Sequence, residues 1–568
     1  MTVPREGFVE WAVRFGEGGL GTLDALRARA GGGPVRAEDV RRVAGSLNRP
    51  VAAVAGAASF YADFAHGETR ERHIRVCEGT SCFAATGGRH VERLDELLAA
   101  APEGAFSLRR VHCLGFCYAS PTALDGELPR TGEDLGGLLT PPPGAALPRP
   151  ETLPDSAPPV PFHVDARRPV TLAGLAGGEP PWTAWPTAVA DGARARERVI
   201  DEVARAGLRG RGGARFPVAA KWSAAATGTA PRFVVANGDE GDPGSFCDRL
   251  LMEQDPHRVL EGLALAALAI GAAHGVVLVR SEYPGAFARM KAAVQEAREA
   301  GHLGPDVHGS GVAFDVEIVE GAGSYVAGEE TALLHALEGL RGSARSRPPY
   351  PVFRGLFGRP TAVNNVETLA AVPWIMRHGG EAYADLGHAE EAGTKLVCLN
   401  ERFHRPGVYE VEFGTPLTTI VDELGGGLHD GTLRALQVGG PLGGFLAPDA
   451  LDTPLLTGAL AGRGVPLGHG SLVAIDTSIS ARALLRHVWA FAASESCGAC
   501  APCRVGSLRG SELAERFGTD DGPEVPALLE RLMDVMETAS LCAFGRGVPG
   551  SVRSLLRVYR EELGLGPR

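Results

Sequence analysis

The chain lacks several features that would settle its class early. No stretch is apolar enough for a membrane span: the longest, Val259 to Val279, is broken by Glu261, Gly262, Gly271 and His274. It reads as a buried helix followed by a strand. Met1 to Glu10 has no apolar signal core. There is no basic excess either: the 568 residues carry a net charge of −12, so no nucleic-acid footprint is visible. No nucleophile–base constellation marks a hydrolase, and no solenoid-type repeat is present. The expectation is a soluble, cytoplasmic protein of several domains. In that setting the ten cysteines are reduced thiols open to metal, whereas a disulfide framework belongs to small secreted domains. Hydrophobic content of 44% and charged content of 22% are ordinary, so function has to come from motifs.

Residues 8–66 read as short helices, with apolar spacing at Phe8, Ala12 and Phe15 and again at Val51, Val54 and Phe60. Residues 73–135 read as a small α/β unit, with strands at His73–Val76 and Ser107–His112 and a helix at Arg89–Ala100. Nine of the 21 residues from Pro141 to Pro161 are proline, which predicts an extended linker poor in regular structure. From about 165 to 385, strands (Arg232–Ala236, Gly275–Arg280) alternate with helices (Pro256–Ala273, Glu329–Glu338), the pattern of an α/β domain. Residues 394–476 are strand-rich, with Val408–Phe413 alternating and Gly439–Gly444 as a turn, which predicts a small β-grasp-like unit. Residues 480–568 read as helical.

Two sets of four cysteines stand out. Cys497, Cys500 and Cys503 are two residues apart, and Cys542 follows 39 residues later. Three closely spaced thiolates wrap one face of a cubane and a distant fourth closes the cage, which is a [4Fe–4S] ligand pattern. Near the N-terminus, Cys77-x4-Cys82 is followed by Cys113-x3-Cys117. Two paired loops can offer two thiolates to each iron of a [2Fe–2S] rhomb. Zinc is the alternative at this second set, although x2 pairs are commoner for zinc.

Four segments between the cysteine sets are rich in glycine or polar groups. Gly207 to Phe216, containing Gly210, Arg211, Gly212 and Gly213, could cradle a phosphate, although Gly/Arg turns are often only turns. Lys221 could add a phosphate or ribityl contact. Asn237 to Phe246 follows a buried strand and clusters Asp239, Glu240 and Asp242. Carboxylates there either bind sugar or ribityl hydroxyls or form a solvated turn. Gly321 to Thr331 is a glycine-rich loop running into a helix. Asn364 and Asn365 place adjacent amides where a polar ligand could be bound.

Taken together, residues 8–135 resemble the 24-kDa-type [2Fe–2S] subunit of NADH dehydrogenases, through Cys77-Glu-Gly-Thr-Ser-Cys82 and Cys113-Leu-Gly-Phe-Cys117. Residues 165–560 closely resemble the 51-kDa-type FMN- and NADH-binding subunit of complex I and its relatives in NAD-reducing hydrogenases and NAD-dependent formate dehydrogenases. The resemblance implies a multidomain α/β chain. A helical leader (1–70) precedes a thioredoxin-like [2Fe–2S] domain (71–138) and a Pro-rich linker (139–164). A Rossmann-like FMN/NADH domain (165–390), a β-grasp (SLBB-like) domain (391–480) and a helical [4Fe–4S] bundle (481–568) follow. It implies FMN contacts at Gly210 to Gly213, Lys221, Asn237, Asp239, Gly328, Asn364, Asn365 and Thr368. It implies NAD(H) near Phe216, Asp242, Glu329, Glu330 and Tyr350, with Glu329 and Glu330 positioning the nucleotide. A hydride would then pass between NAD(H) and FMN, and single electrons through the clusters to or from a partner subunit.

Some positions depart from the family pattern. Arg215 stands where a glycine is usual, and a large cation beside the flavin would either crowd NADH or meet a phosphate. That bears on nucleotide affinity and on the choice between NAD and NADP. Asp242 replaces a usual Glu, Tyr350 a usual Phe, and Cys247 a basic or apolar residue. Cys247 and Cys398 read as small buried hydrophobes. The run Asn237-Gly-Asp-Glu-Gly-Asp-Pro-Gly244 is more like the formate dehydrogenase and hydrogenase relatives, as is the fusion of both units in one chain. The expected partner is an iron–sulfur subunit carrying a molybdenum or tungsten formate dehydrogenase site, with hydrogenase second and complex I third. The competing reading is a cluster-bearing electron-transfer subunit that no longer binds nucleotide.

Overall fold

The computed structural model describes residues 21–30, 35–65, 73–101, 106–132, 135, 158–518 and 524–565. Phe8, Ala12, Phe15 and the proline-rich segment up to 157 lie outside them. Helices Gly21–Ala30, Ala37–Ser46 and Val51–Phe60 open the described chain. They close on one another through Leu23, Leu26, Val43, Val54 and Tyr61. Tyr61 then donates its hydroxyl to Leu340 O (2.8 Å), which ties the leader to the flavin domain.

The next unit has strands β1 (His73–Cys77), β2 (Ser107–Val111), β3 (Thr122–Asp125) and β4 (Leu128–Thr131) in the order β2-β1-β3-β4. Only β1 and β2 run parallel. Helix Arg89–Ala100 presses Val91 and Leu94 onto Ile74 and Val76 of this sheet. The linker's last residues differ from the expectation of irregular chain. Phe162–Val164 forms β5, an edge strand parallel to a distant β-strand at 407–412. An extended proline-flanked segment satisfies its polar backbone cheaply by joining a sheet edge, where a missing N–H is tolerated.

The flavin domain carries β6 (Phe233–Gly238), β7 (His274–Val279), β8 (Asp315–Glu320) and β9 (Thr361–Asn365), all parallel. Their order is β8-β7-β6-β9. Both faces are covered. Val234, Ala236, Val277 and Val279 pack under helices Pro256–Ile270 and Val366–His378. Phe233, Val235, Val276 and Leu278 pack on Leu333, Leu334 and Leu337 of helix Glu330–Leu337. Strands buried on both faces read as continuous apolar runs, which makes them legible in the sequence. Strand order reverses between β6 and β9, so a crevice opens at their carboxyl ends, where ligands bind in open α/β sheets.

The third unit adds hairpin β10 (Gly387–His388) and β11 (Glu391–Ala392), then β12 (Thr394–Leu399), β13 (Gly407–Glu412), β14 (Leu433–Val438), β15 (Gly444–Leu446) and β16 (Ser471–Asp476). The mixed sheet runs β15-β14-β16-β12-β13-β5. Within β13, Glu410 is buried despite its charge. Its carboxylate accepts from Val170 N (2.9 Å), Thr171 N (2.8 Å), Leu172 N (3.0 Å) and Thr394 Oγ1 (2.7 Å). Three backbone donors and a hydroxyl compensate the lost hydration.

Four helices end the described chain: Ala481–Glu495, Ala501–Arg516, Val525–Ala539 and Ala543–Val558. Trp489, Met533, Met536, Val548 and Val552 fill their centre. Gly510 is obligatory there, because a Cβ would stand 2.1 Å from the Trp489 ring. Among the described residues no helix is long and apolar enough to cross a membrane.

Candidate functional site

The crevice at the β6/β9 switch collects most of the predicted residues. Asn237 closes β6 and donates Nδ2 to Gly328 O (2.8 Å), while its Oδ1 accepts from Asp239 N (3.1 Å). Asn365 closes β9 and caps helix Val366–His378 through Thr368 N (3.1 Å). The glycine loop docks on the same cap: Arg211 N donates to Thr368 Oγ1 (2.8 Å). A Cβ on Gly212 would be only 3.0 Å from that of Asn365, so the loop backbone approaches closely. Lys221 donates Nζ to Val363 O (2.7 Å) and faces Glu330 at 3.8 Å. Burial pulls its pKa down and Glu330 pulls it back up.

One buried donor is unused. Asn364 is 4% exposed, and its Nδ2 has no partner among the described residues, while its Oδ1 accepts from Trp222 Nε1 (3.4 Å). An orphaned buried amide costs about 1–3 kcal/mol. It therefore marks a place where a ligand acceptor belongs. A flavin ring, bordered by acceptor atoms, fits that donor.

On the other rim, Glu329 caps helix Glu330–Leu337, accepting from Thr331 N (2.9 Å) and Ala332 N (3.0 Å). Arg347 pairs with Glu329 (2.9 Å) and Glu330 (3.3 Å). Phe216 and Tyr350 are each 53% exposed, an unusual state for aromatic side chains, and they flank the contacting helices Val218–Thr227 and Pro351–Arg354. Exposed rings beside an ionic rim suit a planar, charged nucleotide.

Two predicted residues turn elsewhere. Glu240 points into the protein and caps helix Cys247–Gln254, accepting from Asp248 N (3.1 Å) and Arg249 N (3.0 Å). Burial and the nearby Asp248 push its pKa up to about 7. Arg215, at φ +53°, pairs with Glu391 and lies over Phe413 at 4.7 Å. Burial and Arg211 lower its pKa to about 10, so it stays charged. Its charge is paired with Glu391 of the β10–β11 hairpin. Arg215→Gly is therefore expected to leave the NADH KM within about twofold. It should destabilise the chain by about 1–3 kcal/mol, the loss of a largely buried pair partly offset by relief of the left-handed backbone. Steady-state kinetics and thermal melts check both numbers.

Beneath the crevice, Glu240, Cys247, Asp248 and His469 bring ligand-type atoms within 4.8 Å. Their carboxylate oxygens are already engaged: Cys247 donates to Glu240 (3.4 Å), Glu367 N to Asp248 (3.0 Å) and Asn365 Nδ2 to Asp248 (2.5 Å). His469 sits 3.1 Å from Asp248. Against the pull of burial, Asp248 and Cys247 hold His469 well above its ordinary pKa. The group is a saturated hydrogen-bond network that orients Asn365. The sequence does not single out His469, whose only signal is its place in the turn Gly468-His469-Gly470. Cys398 is fully buried beside this network and accepts from Phe246 N (3.4 Å).

The loop 239–246 leads from the crevice to both cysteine sets. Asp242 accepts from Tyr325 OH (2.5 Å). The Tyr325 ring meets Phe491 (5.0 Å) and Phe544 (5.6 Å), which pack with Cys497, Cys503 and Cys542. Cys542 N-caps helix Ala543–Val558, and the adjoining Leu541 N donates to Cys500 Sγ (3.4 Å), so the distant fourth cysteine does reach the other three. At the other end of the loop, Gly244 N donates to Cys117 Sγ (3.2 Å). Cys113 Sγ and Cys117 Sγ are 3.7 Å apart, and Cys77 and Cys82 are buried beside them. Among the described residues all ten cysteines are free thiols. Two four-thiol sets, buried except for the half-buried Cys500, fit two iron–sulfur clusters by donor chemistry.

Asp239 follows Asn237 in the loop beyond β6, and burial raises its pKa to about 7, against the pull of Arg280. Between about pH 4 and 7 the folded chain then holds a proton that the unfolded chain has lost. Stability contributed here falls as pH rises through that window. Asp239→Asn is expected to flatten the fall, read as thermal midpoints from about pH 4.5 to 8.

The family model for the Nuo51 FMN-binding domain matches residues 203–374. That for the NADH-ubiquinone oxidoreductase-F iron-sulfur binding region matches 483–565, and that for the thioredoxin-like [2Fe-2S] ferredoxin matches 20–128. NADP-reducing hydrogenase subunit HndC of Solidesulfovibrio fructosivorans is 40% identical over 64% of this chain and 75% of its own. The F component of the NADH-quinone oxidoreductase of Escherichia coli K12 is 38% identical over 65% of this chain and 84% of its own. A crystal structure of an NAD+-reducing [NiFe]-hydrogenase in the air-oxidized state superposes with a TM-score of 0.81 at 30% identity, covering 97% of this chain and 94% of that one.

Fold, site and likeness define a flavin- and iron–sulfur-dependent oxidoreductase, the NADH-oxidising diaphorase module of a larger assembly. The chain belongs to the 51-kDa-type family of NADH-quinone oxidoreductase flavin subunits, here joined to a thioredoxin-like [2Fe–2S] domain. Its cofactors are FMN, NAD(H), one [4Fe–4S] and one [2Fe–2S] cluster.

Proposed function

We propose that the chain exchanges a hydride between NAD(H) and FMN at the β6/β9 crevice and passes single electrons to or from a formate dehydrogenase subunit carrying molybdenum or tungsten. The supporting observation is the loop 239–246, which leads from the crevice to Tyr325, whose ring meets Phe544, and to Cys117. When bound, FMN supplies the conversion between two-electron and one-electron transfer.

The residues of the chain hold and orient. Asn364 Nδ2 and Lys221 Nζ offer donors to the flavin from the strand side. Glu329 and Glu330, steadied by Arg347, set the nucleotide's polar groups. Phe216 and Tyr350 cover the planar rings and shed water from the reacting face. Cys497, Cys500, Cys503 and Cys542 hold the cubane, and Cys77, Cys82, Cys113 and Cys117 hold the rhomb. Exposed Val505 and Leu508, on the helix that bears Cys503, and exposed Val535 on the adjoining helix offer an apolar face for the partner near the cubane.

Formate dehydrogenase is favoured by Asn237-Gly-Asp-Glu-Gly-Asp-Pro-Gly244. A hydrogenase is the second reading, favoured by the likeness of nearly the whole chain to an NAD+-reducing [NiFe]-hydrogenase chain. An anaerobic NADH titration followed by flavin absorbance and low-temperature EPR tests the core reaction. Flavin bleaching with reduced-cluster signals is expected, and clusters reduced by dithionite but not by NADH would overturn it. Metal analysis of the native complex decides the partner: molybdenum or tungsten supports formate dehydrogenase, whereas nickel replaces that reading with hydrogenase.

A further inference from the structure

We infer that Arg280 sets the reduction potential of the N-terminal [2Fe–2S] cluster and joins that cluster's cage to the flavin loop. The inference rests on Cys77, Cys82, Cys113 and Cys117 being the ligands of that cluster. Arg280 lies just beyond β7 and is 6% exposed. One end of its guanidinium donates to Cys113 O (3.0 Å), and another nitrogen donates to Glu240 O (2.5 Å), in the loop that follows Asp239. A single buried cation therefore touches a ligand residue of the cluster and the loop that leads to the flavin crevice.

Its counter-ion is shared with other cations. Glu282 pairs with Arg280 Nε at 3.1 Å, beside the nitrogen that donates to Cys113 O. The Glu282 carboxylate also feels Arg75 and Arg109, so one negative charge is shared among three guanidinium groups. The other charges around the cage differ in kind. Arg249 donates to Gly115 O (2.9 Å) and lies over Phe116, but it is answered by its own partner Glu253 at 2.9 Å. Glu401, whose N donates to Cys117 O (2.9 Å), faces Arg402 at 3.8 Å.

Reduction adds an electron to the cluster, so a buried cation beside it favours the reduced form and a buried anion opposes it. Hydrogen bonds to the atoms around the ligands act in the same direction. Removing the charge while keeping a donor, as in Arg280→Gln, should therefore lower the potential. Removing the counter-ion, Glu282→Gln, should raise it. A residue with only a packing role predicts no such opposition of sign.

The test is an EPR-monitored redox titration of the complete holoprotein and its variants, with the [4Fe–4S] signal as internal control. At the wild-type midpoint, Arg280→Gln should lower the reduced-to-oxidised ratio of the [2Fe–2S] signal at least tenfold, equivalent to about 59 mV for one electron. Glu282→Gln should raise the ratio, and Arg280→Lys should stay within about threefold of wild type. The [4Fe–4S] midpoint should not move. A full-strength [2Fe–2S] signal that shifts less than threefold in Arg280→Gln, or in the same direction in both Gln variants, overturns the inference while leaving the ligand assignment intact. A wild-type protein without a [2Fe–2S] signal overturns the ligand assignment and the inference with it.

Discussion

Cys542→Ala is expected to remove the iron and sulfide of one cubane per chain and to abolish NADH-driven electron delivery through the cubane to a partner. NADH should still bleach the flavin. The separation follows from where Cys542 sits. It begins helix Ala543–Val558 and is packed with Phe544, Cys497 and Cys503, whereas the flavin crevice is built from β6, β9 and the glycine loop. Thiolate–iron bonds there tie the start of one helix to the 497–503 segment, so losing them should also lower the thermal midpoint. Cys542→Ala that keeps a normal [4Fe–4S] EPR signal would refute this ligand. Loss of flavin bleaching as well would show that the two sites are not separable.

Asn364→Leu should weaken flavin binding with little net change in the stability of the flavin-free protein. It removes a buried amide donor without a partner but orphans the Trp222 indole N–H that Asn364 Oδ1 accepts, two effects of similar size and opposite sign. FMN affinity should fall by about tenfold to a hundredfold, the value of one to two buried hydrogen bonds. Flavin retention after gel filtration, a fluorescence titration with FMN and a melt of the flavin-free protein give the three readings. A destabilised variant that binds FMN normally would mean that Asn364 serves the protein fold and not the flavin.

Much of the architecture is legible in the sequence because the strands of the flavin domain are buried on both faces. Their unbroken apolar runs leave little room for misplacement: the expected strand at 232–236 is observed at Phe233–Gly238, and the one at 275–280 at His274–Val279. Helix Arg89–Ala100 has the predicted bounds, set by glycines at 87 and 88 and by its amphipathic spacing. Glu410 and β5 are not legible. A glutamate in an alternating strand looks solvent-facing until three backbone N–H groups from a segment 240 residues away are seen to bind it. The edge strand at 162–164 has too short a run to carry a pattern of its own.

The candidate site divides in the same way. Cysteine spacing pointed to the clusters, because ligation demands particular residue types at short separations along the chain, whereas the flavin and nucleotide were implied by the family resemblance that the glycine loop and the paired asparagines carry. Arg215 shows the limit of that reasoning. Its position in the loop places a cation beside the flavin, but its side chain runs to Glu391 and Phe413, a choice made by a distant hairpin. The same holds for Arg280 and His469, which carry no motif and gain their importance from what packs against them. Residue identity determined which chemistry this protein holds. Only tertiary structure decided how that chemistry is wired, because the loop 239–246 meets Cys117 and Tyr325 through long-range contacts whose partners are fixed by packing and not by spacing in the sequence.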